Sequence, residues 1–223
     1  MVTSVLLIFA LGIFPSILWL SFFLLETRKH PEPPRIIAEV FVAGIIAAVV
    51  AAMIQLILQL GVFDSSRYEA TSLIGFAVFA LVEEVTKFIF AYIAFKSKRR
   101  PETPLDDMIY LITAAMGFAA LENLLFIFQA PPGLVIQTAI MRTIGATFLH
   151  AVASGFTGYY LAKRRVPEGL IIATVIHTAF NYIAYYFPQY QICAIIMVLL
   201  SSFFLFNDFD IIKESDKQEK QIR

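Results

Sequence analysis

The chain has 223 residues, of which 59% are hydrophobic and 15% are charged, and its mean hydropathy is +0.78. An ordinary soluble domain carries about 25% charged residues, and a soluble fold of this length could not bury so much apolar surface. The 17 basic and 17 acidic residues balance, so there is no net positive charge with which to bind a nucleic acid. The single cysteine, Cys193, excludes an intramolecular disulfide and a cysteine-based metal site. The composition therefore predicts an integral membrane protein with one domain over residues 1–223.

Stretches of about 20 apolar residues are long enough to cross a bilayer as helices. Seven such stretches follow one another, at residues 2–25, 36–60, 70–95, 107–129, 134–162, 169–187 and 190–209. The fifth is the longest, and a segment of that length is expected to tilt or to begin in the membrane interface. Because helices satisfy their own backbone hydrogen bonds in lipid, the pattern predicts an all-α bundle of about seven transmembrane helices.

Lysine and arginine residues concentrate in alternate connections, which sets the expected orientation. Fourteen of the 17 basic residues follow the first, third and fifth stretches or lie in the C-terminal tail, and the other connections contain only Arg67. Since basic connections face the cytosol, the N-terminus is expected outside and the tail, 210–223, in the cytosol, solvated. The first stretch has no basic residues before it and is interpreted as a retained helix. We expect a multi-pass protein of a bacterial or archaeal plasma membrane, in contact with lipid.

Ionisable side chains within membrane spans are costly and therefore indicate functional sites. The third to sixth stretches contain such residues and polar neighbours: Glu83, Glu84, Lys87, Glu122, Asn123, Arg142, His150, Ser154, His177 and Asn181. At about 1.5 Å per residue, the glutamates and histidines lie about 12 to 22 Å from the cytosolic ends of their helices. Separate helices thus place their costliest side chains at a similar depth. This predicts one shared site within a motif-bearing core, 70–187.

Helical spacing places two polar residues beside the histidines, because side chains four positions apart share a helix face. The pairs are His150 with Ser154 and His177 with Asn181. In each pair the second residue could orient the histidine or its ligand by a hydrogen bond. Each histidine alone also fits an ordinary interhelical hydrogen bond, and Ser154 alone fits close packing of small residues.

Glu83 and Lys87 are four positions apart and share a helix face, and Glu84 lies three positions from Lys87. Lys87 is expected to keep both carboxylates ionised, although a structural ion pair would show the same spacing. Arg142 lies near the outer end of its stretch, where it could pair with an acid or extend to the interface. Three glutamates and two histidines at one level favour a catalytic or metal site over five independent contacts.

Glutamate and histidine are the usual general acids and bases of hydrolytic enzymes. Glu83 or Glu84 is predicted to act as the general base. Glu122 with His150 and His177 makes a zinc-type ligand set with one position open. In the alternative without a metal, a glutamate activates water directly while histidine and asparagine side chains stabilise the oxyanion.

Four sequence motifs together resemble the PrsW family of intramembrane proteases. They are LVEEVTKF at 81–88, GFAALENLLF at 117–126, the pair MR at 141–142 with FLHAVASGF at 148–156, and VIHTAFNYI at 175–183. That family is grouped with the CAAX prenyl proteases and the bacteriocin-processing proteins. The resemblance implies a membrane-embedded endopeptidase that makes the first cut in a membrane-tethered protein, such as an anti-sigma factor.

Carried onto this chain, the functional residues are Glu83 and Glu84 of the first motif, Glu122 of the second, His150 of the third and His177 of the fourth. Close relatives in the PrsW family are expected to have an aspartate four residues after the last histidine. This chain has Asn181 there, as on the CAAX-protease side of the group. A neutral amide can hold an oxyanion but cannot serve as a carboxylate ligand, so the resemblance fits a glutamic or a metallo type of protease.

Five residues are expected to contact the substrate or to hold the catalytic side chains: Lys87, Asn123, Arg142, Ser154 and Asn181. Zn2+ is the expected cofactor if the mechanism uses a metal ion (the metallo version), and a membrane-tethered protein is the expected partner. The alternatives are a CAAX-type or leader-peptide-processing protease, a non-catalytic membrane scaffold and a proton-coupled transporter. A transporter would favour inverted repeats and broken helices, which the sequence pattern does not indicate.

Overall fold

The computed structural model describes residues 2–28, 31–63, 69–96 and 103–222, and within them the chain is helical and forms no β-strand. The α-helices are α1 (Val2–Leu24), α2 (Pro34–Leu58), α3 (Leu73–Lys96), α4 (Pro104–Gln129), α5 (Val135–Met141), α6 (Thr147–Ala162), α7 (Val166–Tyr186) and α8 (Gln191–Ile222). Two π-helical segments, Gln59–Phe63 and Arg142–Ala146, follow α2 and α5. A 3-10 turn at Leu25–Thr27 follows α1, and a second 3-10 turn at Pro188–Tyr190 precedes α8. The predicted all-α architecture is confirmed.

Most of the long helical stretches can cross a membrane. Six stretches of the described chain are long and apolar enough: Leu6–Thr27, Pro34–Phe63, Pro104–Gln129, Val135–Ala162, Val166–Tyr186 and Pro188–Ser215. The remaining long helix, α3, has 24 residues but carries Glu83, Glu84 and Lys87 in its middle. The π-helical segment joins α5 and α6 into the stretch predicted as the fifth helix. Each predicted stretch therefore corresponds to a long helical stretch of the structure.

Two helix ends differ from the apolar pattern. α4 begins at Pro104, earlier than the apolar run, because Asp106 accepts hydrogen bonds from the Thr103 backbone N and Oγ1, each at 2.8 Å. Such a cap with proline in the first turn is a strong helix start. α8 continues as helix to Ile222, and Ile212 is buried in the main core. The tail predicted as wholly solvated therefore begins packed against the bundle.

α4 is the central helix, and its side chains from 108 to 120 are all buried. Two glycines allow α2 and α4 to pack closely. A Cβ atom on Gly44 would lie 1.9 Å from the carbonyl oxygen of Ala114, and one on Gly117 would lie 1.9 Å from that of Phe41. Small residues let membrane helices approach at backbone distance. This contact holds α2 beside the helices that carry the sequence motifs.

Contacts at one end of the bundle join connections that were predicted to share the cytosolic side. Lys213 of α8 pairs with Glu26, which follows α1, and Tyr110 of α4 donates a hydrogen bond to Glu32, which precedes α2. Several basic residues of the topology argument lie outside the described residues: Lys29, Arg67, Lys98, Arg99, Arg100 and Arg223. The orientation of the bundle in the membrane stays a prediction.

Candidate active site

α3 presents three ionisable side chains to the interior of the bundle. Glu83, Glu84 and Lys87 are buried, and Lys87 has no exposed surface. Lys87 Nζ donates a hydrogen bond to Glu84 Oε1 at 2.7 Å and another to His150 Nδ1 on α6 at 3.1 Å. Because a buried ammonium group is costly without partners, these two contacts account for its position. Of the two glutamates spaced to reach Lys87, Glu84 is the one that pairs with it among the described residues.

His177 of α7 lies against both glutamates of α3. Its Nδ1 donates to Glu84 Oε1 at 2.7 Å, and its Nε2 lies 3.5 Å from Glu83 Oε2. The bond at Nδ1 sets the tautomer, so the neutral ring has its lone pair on Nε2, facing Glu83. His177 is thus oriented by Glu84, whereas the spacing had suggested Asn181 for this role.

His150 of α6 has both ring nitrogens engaged. An ammonium group can only donate, so Nδ1 accepts from Lys87, and Nε2 carries the proton that it donates to Glu122 Oε2 at 2.8 Å. The rings of His150 and His177 are edge to face, with centroids 5.1 Å apart. The structure therefore brings together ionisable side chains from the motifs on α3, α4, α6 and α7.

Arg142 begins the π-helical segment after α5 and holds two residues of α4. Its Nη2 donates to Glu122 Oε2 at 2.7 Å, and its Nε donates to Asn123 Oδ1 at 2.6 Å. Asn123 Nδ2 in turn donates to Thr147 Oγ1 at 2.9 Å. π-Helical turns are frequent at functional sites. Of the two interpretations of Arg142 from sequence, pairing with an acid is the one found.

One group of potential metal ligands occurs in the described part of the chain. It consists of Glu83, His150 and His177, with one ligand atom from each within 4.8 Å of the others. The predicted set had Glu122 as its carboxylate, but Glu122 is held by Arg142 and His150 instead. Glu83 Oε2 is buried and makes no hydrogen bond within the described chain, so it is available to a cation or to water.

The donor set and the charge of this cluster both fit a divalent cation. Two imidazoles and a carboxylate are the ligands that zinc prefers. Three carboxylates face the two fixed cations Lys87 and Arg142, which leaves one net negative charge when both imidazoles are neutral. A buried net charge is costly unless it is compensated. His150 can join the ligand set through Nδ1, which becomes free when Lys87 releases it.

Two predicted residues are not joined to the cluster by hydrogen bonds. Ser154 is buried, and its Oγ has no hydrogen-bond partner among the described residues. Asn181 is half-buried, and its side chain bonds to no residue in the part of the chain that the structure describes. The helical pairs predicted from the spacing, His150–Ser154 and His177–Asn181, therefore form no internal hydrogen bond.

Gln55 of α2 is a site residue that the sequence analysis missed. Its Nε2 donates to Glu83 Oε1 at 2.9 Å and to the Phe79 backbone oxygen at 3.3 Å. An amide within the apolar stretch 36–60 was the available signal, because polar side chains in a membrane helix need partners. The second predicted stretch thus contributes to the site, although it contains no motif.

A crevice of about 190 Å³ leads to the cluster between α2 and α4, and Gln55, Glu83 and Glu122 are part of its lining. Its rim includes Ala52 and Leu125, whose side chains are exposed on the surface of the bundle. The small side chain of Ala52 leaves the crevice open between the two helices. The crevice therefore gives water access to both glutamates from the surface of the bundle.

The family described as "PrsW family intramembrane metalloprotease" matches residues 32–206, which include all four motifs. The "Protease PrsW" of Geobacillus kaustophilus is 28% identical over 155 residues, which are 69% of this chain and 65% of that protein. The protein of the same name from Clostridioides difficile is 25% identical, over 79% of this chain and 78% of its own length. The one from Oceanobacillus iheyensis is also 25% identical, over 86% of this chain and 90% of its own length. No solved structure matches the chain.

Proposed function

The chain belongs to the PrsW family of intramembrane proteases, as its motifs predicted, and from this premise we propose that it hydrolyses a peptide bond of a membrane-tethered protein within the bilayer. The observation that carries the proposal is the meeting of Glu83, His150 and His177 inside the bundle, where Glu83 Oε2 makes no hydrogen bond to a described residue. The proposed substrate is a membrane-tethered protein, of which an anti-sigma factor is an example. The proposed location is a bacterial or archaeal plasma membrane.

The two neighbouring glutamates have different roles in this proposal because their contacts differ. Glu84 receives both of its hydrogen bonds on Oε1, from Lys87 and from His177. It therefore orients His177 and sets its tautomer, as carboxylates beside functional histidines commonly do. Glu83 has its Oε2 free and lines the crevice, so Glu83 is the carboxylate that binds a cation or accepts a proton from water.

In the metallo version, Glu83, His150 and His177 hold a divalent ion, for which Zn2+ is the expected example. When bound, such an ion supplies Lewis acidity toward the scissile carbonyl and the attacking water. Glu122, held by Arg142 at the wall of the crevice, is then the carboxylate left to accept the proton of the water. In the glutamic version, Glu83 accepts that proton itself.

A CAAX-type or leader-peptide-processing protease is the second candidate. The feature that favours it is Asn181, which stands four residues after His177, where close PrsW relatives are expected to have an aspartate. The two candidates differ in substrate. A CAAX-type enzyme would cut a prenylated C-terminal peptide, and the proposed enzyme would cut within a tethered protein that has no such lipid.

The test uses the purified chain in liposomes with a panel of single-span membrane proteins that includes an anti-sigma factor and a prenylated peptide. Mass spectrometry identifies new termini in the panel. We expect the wild type to cut an unprenylated member and Glu83→Gln to abolish the cut. Glu39→Gln, the same change on α2 outside the cluster, should leave cleavage intact. Equal cleavage by wild type and a folded Glu83→Gln would contradict the proposal, and no cleavage of any panel member by the wild type would favour a scaffold.

Metal analysis of the same preparation separates the two versions of the mechanism. Loss of cleavage on treatment with a chelator, with recovery on addition of zinc, supports the metallo version. Full cleavage by a metal-free preparation supports the glutamic version.

A further inference from the structure

Gln55 connects α2 to the ionisable cluster through a directed amide. Its side chain is half-buried, and its neighbours along the helix, 53–58, are otherwise apolar. The two acceptors of its Nε2 are Glu83 Oε1 and the backbone oxygen of Phe79. Phe79 precedes Glu83 by one helical turn of α3. The amide therefore contacts α3 at two adjacent levels, and its two protons account for both contacts.

These contacts distinguish the two oxygens of Glu83. Oε1 accepts the bond from Gln55 at 2.9 Å, whereas Oε2 has no hydrogen-bond partner in the described chain and lies 3.5 Å from His177 Nε2. The terminal torsion of a glutamate is broad and would otherwise let the carboxylate rotate. With Oε1 held, Oε2 is the oxygen presented to the cluster.

We propose that Gln55 is a positioning residue for the reaction, which holds Glu83 Oε1 so that Oε2 faces His177 and the substrate. The inference rests on the proposed protease function and adds a residue outside the four sequence motifs. It applies to both versions of the mechanism, because a ligand oxygen and a general base must each have a fixed direction.

A membrane amide can also act simply as a hydrogen bond between helices, and the two roles predict different results. A purely structural amide contributes to stability and leaves the turnover of each folded molecule unchanged. A positioning residue lowers the kcat of the folded protein while KM changes little, because binding of the ground-state peptide does not depend on Glu83 Oε2.

The experiment compares two substitutions with a matched control. Gln55→Leu keeps the size of the side chain and removes the donor, and Gln55→Glu keeps the shape but places a carboxylate against Glu83. Gln59→Leu makes the first change one turn later, on an exposed side chain. Cleavage of the panel member cut by the wild type is measured as kcat and KM in liposomes. Thermal unfolding gives the folded fraction, and dialysis against zinc alone gives metal retention.

We expect Gln55→Leu and Gln55→Glu to lower kcat by about 10- to 100-fold, the range seen when groups that orient a ligand are removed. Gln59→Leu should behave as wild type. If zinc is bound, its retention should fall in Gln55→Leu and not in Gln59→Leu.

Wild-type kcat in either folded Gln55 variant would overturn the inference. If Gln55→Leu does not fold, the kcat of Gln55→Glu decides the test. If the wild type cuts no panel member but retains zinc, the proposed function fails, and zinc retention alone decides the role of Gln55. A wild type that neither cuts nor retains zinc overturns both proposals.

Discussion

His150 donates a hydrogen bond from Nε2 to Glu122 Oε2 at 2.8 Å, across 28 positions of sequence. The same oxygen accepts the bond from Arg142 Nη2 at 2.7 Å. One carboxylate oxygen therefore joins α4, α6 and the π-helical segment before α6. This arrangement places Glu122 between a fixed cation and a candidate metal ligand, at the wall of the crevice.

Replacing this carboxylate should lower catalysis more than stability. Glu122→Gln keeps an oxygen that accepts from His150 but removes the charge opposite Arg142. We expect kcat to fall by about 10²- to 10⁴-fold if Glu122 accepts the proton of the water, and by about 10- to 100-fold if it only orients His150. Cleavage of the panel substrate and thermal unfolding measure the two effects. Wild-type turnover in the folded variant would exclude Glu122 from the reaction.

The role of Asn181 can be tested by adding a charge. We expect Asn181→Asp to be tolerated, with equal or tighter zinc retention, because an added carboxylate is compatible with a bound cation. If Asn181 instead donates to an oxyanion, the carboxylate repels the developing charge, and the rate falls by about 10² to 10³. Unchanged activity together with resistance to a chelator would contradict both roles.

Lys87 should be important for stability and should compete with a metal ion for His150. Lys87→Met leaves Glu84 buried without its ammonium partner, and we expect a loss of about 3–5 kcal/mol in the free energy of unfolding. The change also frees Nδ1 of His150 and removes a like charge, so zinc retention should rise. Lys96→Met, at the exposed end of α3, is the control for thermal unfolding and metal analysis. Unchanged stability in Lys87→Met would contradict the account of the buried pair.

The close contact of α2 and α4 depends on Gly117. Gly117→Ala would place a Cβ 1.9 Å from the Phe41 carbonyl oxygen, whereas the same change at Gly61 meets nothing within 4 Å. Because backbone atoms cannot yield without separation of the helices, we expect a loss of about 1–3 kcal/mol for Gly117→Ala and none for Gly61→Ala. Thermal unfolding in detergent compares the two. Equal stability of both variants would show that the helices can move apart freely.

The membrane orientation is tested by labelling in intact cells with a maleimide that cannot cross the membrane. The background is Cys193→Ser, which removes the single cysteine. Pro132→Cys, between α4 and α5, should be labelled. Glu168→Cys, at the start of α7, should be labelled only after the membrane is permeabilised, because the basic connections are expected in the cytosol. The reverse pattern would invert the topology.

Several features of this protein follow from its sequence alone. The apolar stretches determine an all-α membrane bundle, because in lipid the backbone groups of a spanning segment must be satisfied within the helix. The costly ionisable residues also mark the helices that carry the site, and residue counts give their depth at about 1.5 Å per residue. For this reason Glu83, Glu84, Glu122, His150 and His177 could be identified before their contacts were known.

The contacts themselves were decided only by the tertiary structure. Depth along a helix does not specify the rotation of that helix about its axis or the identity of its neighbours. Those depend on packing, such as the approach of α2 to α4 at Gly44 and Gly117. This packing places Gln55 within hydrogen-bond distance of Glu83 and Arg142 within hydrogen-bond distance of Glu122. Glu83 is therefore the carboxylate grouped with His150 and His177 as a potential metal ligand, because Glu84 and Glu122 are each held by a cationic side chain.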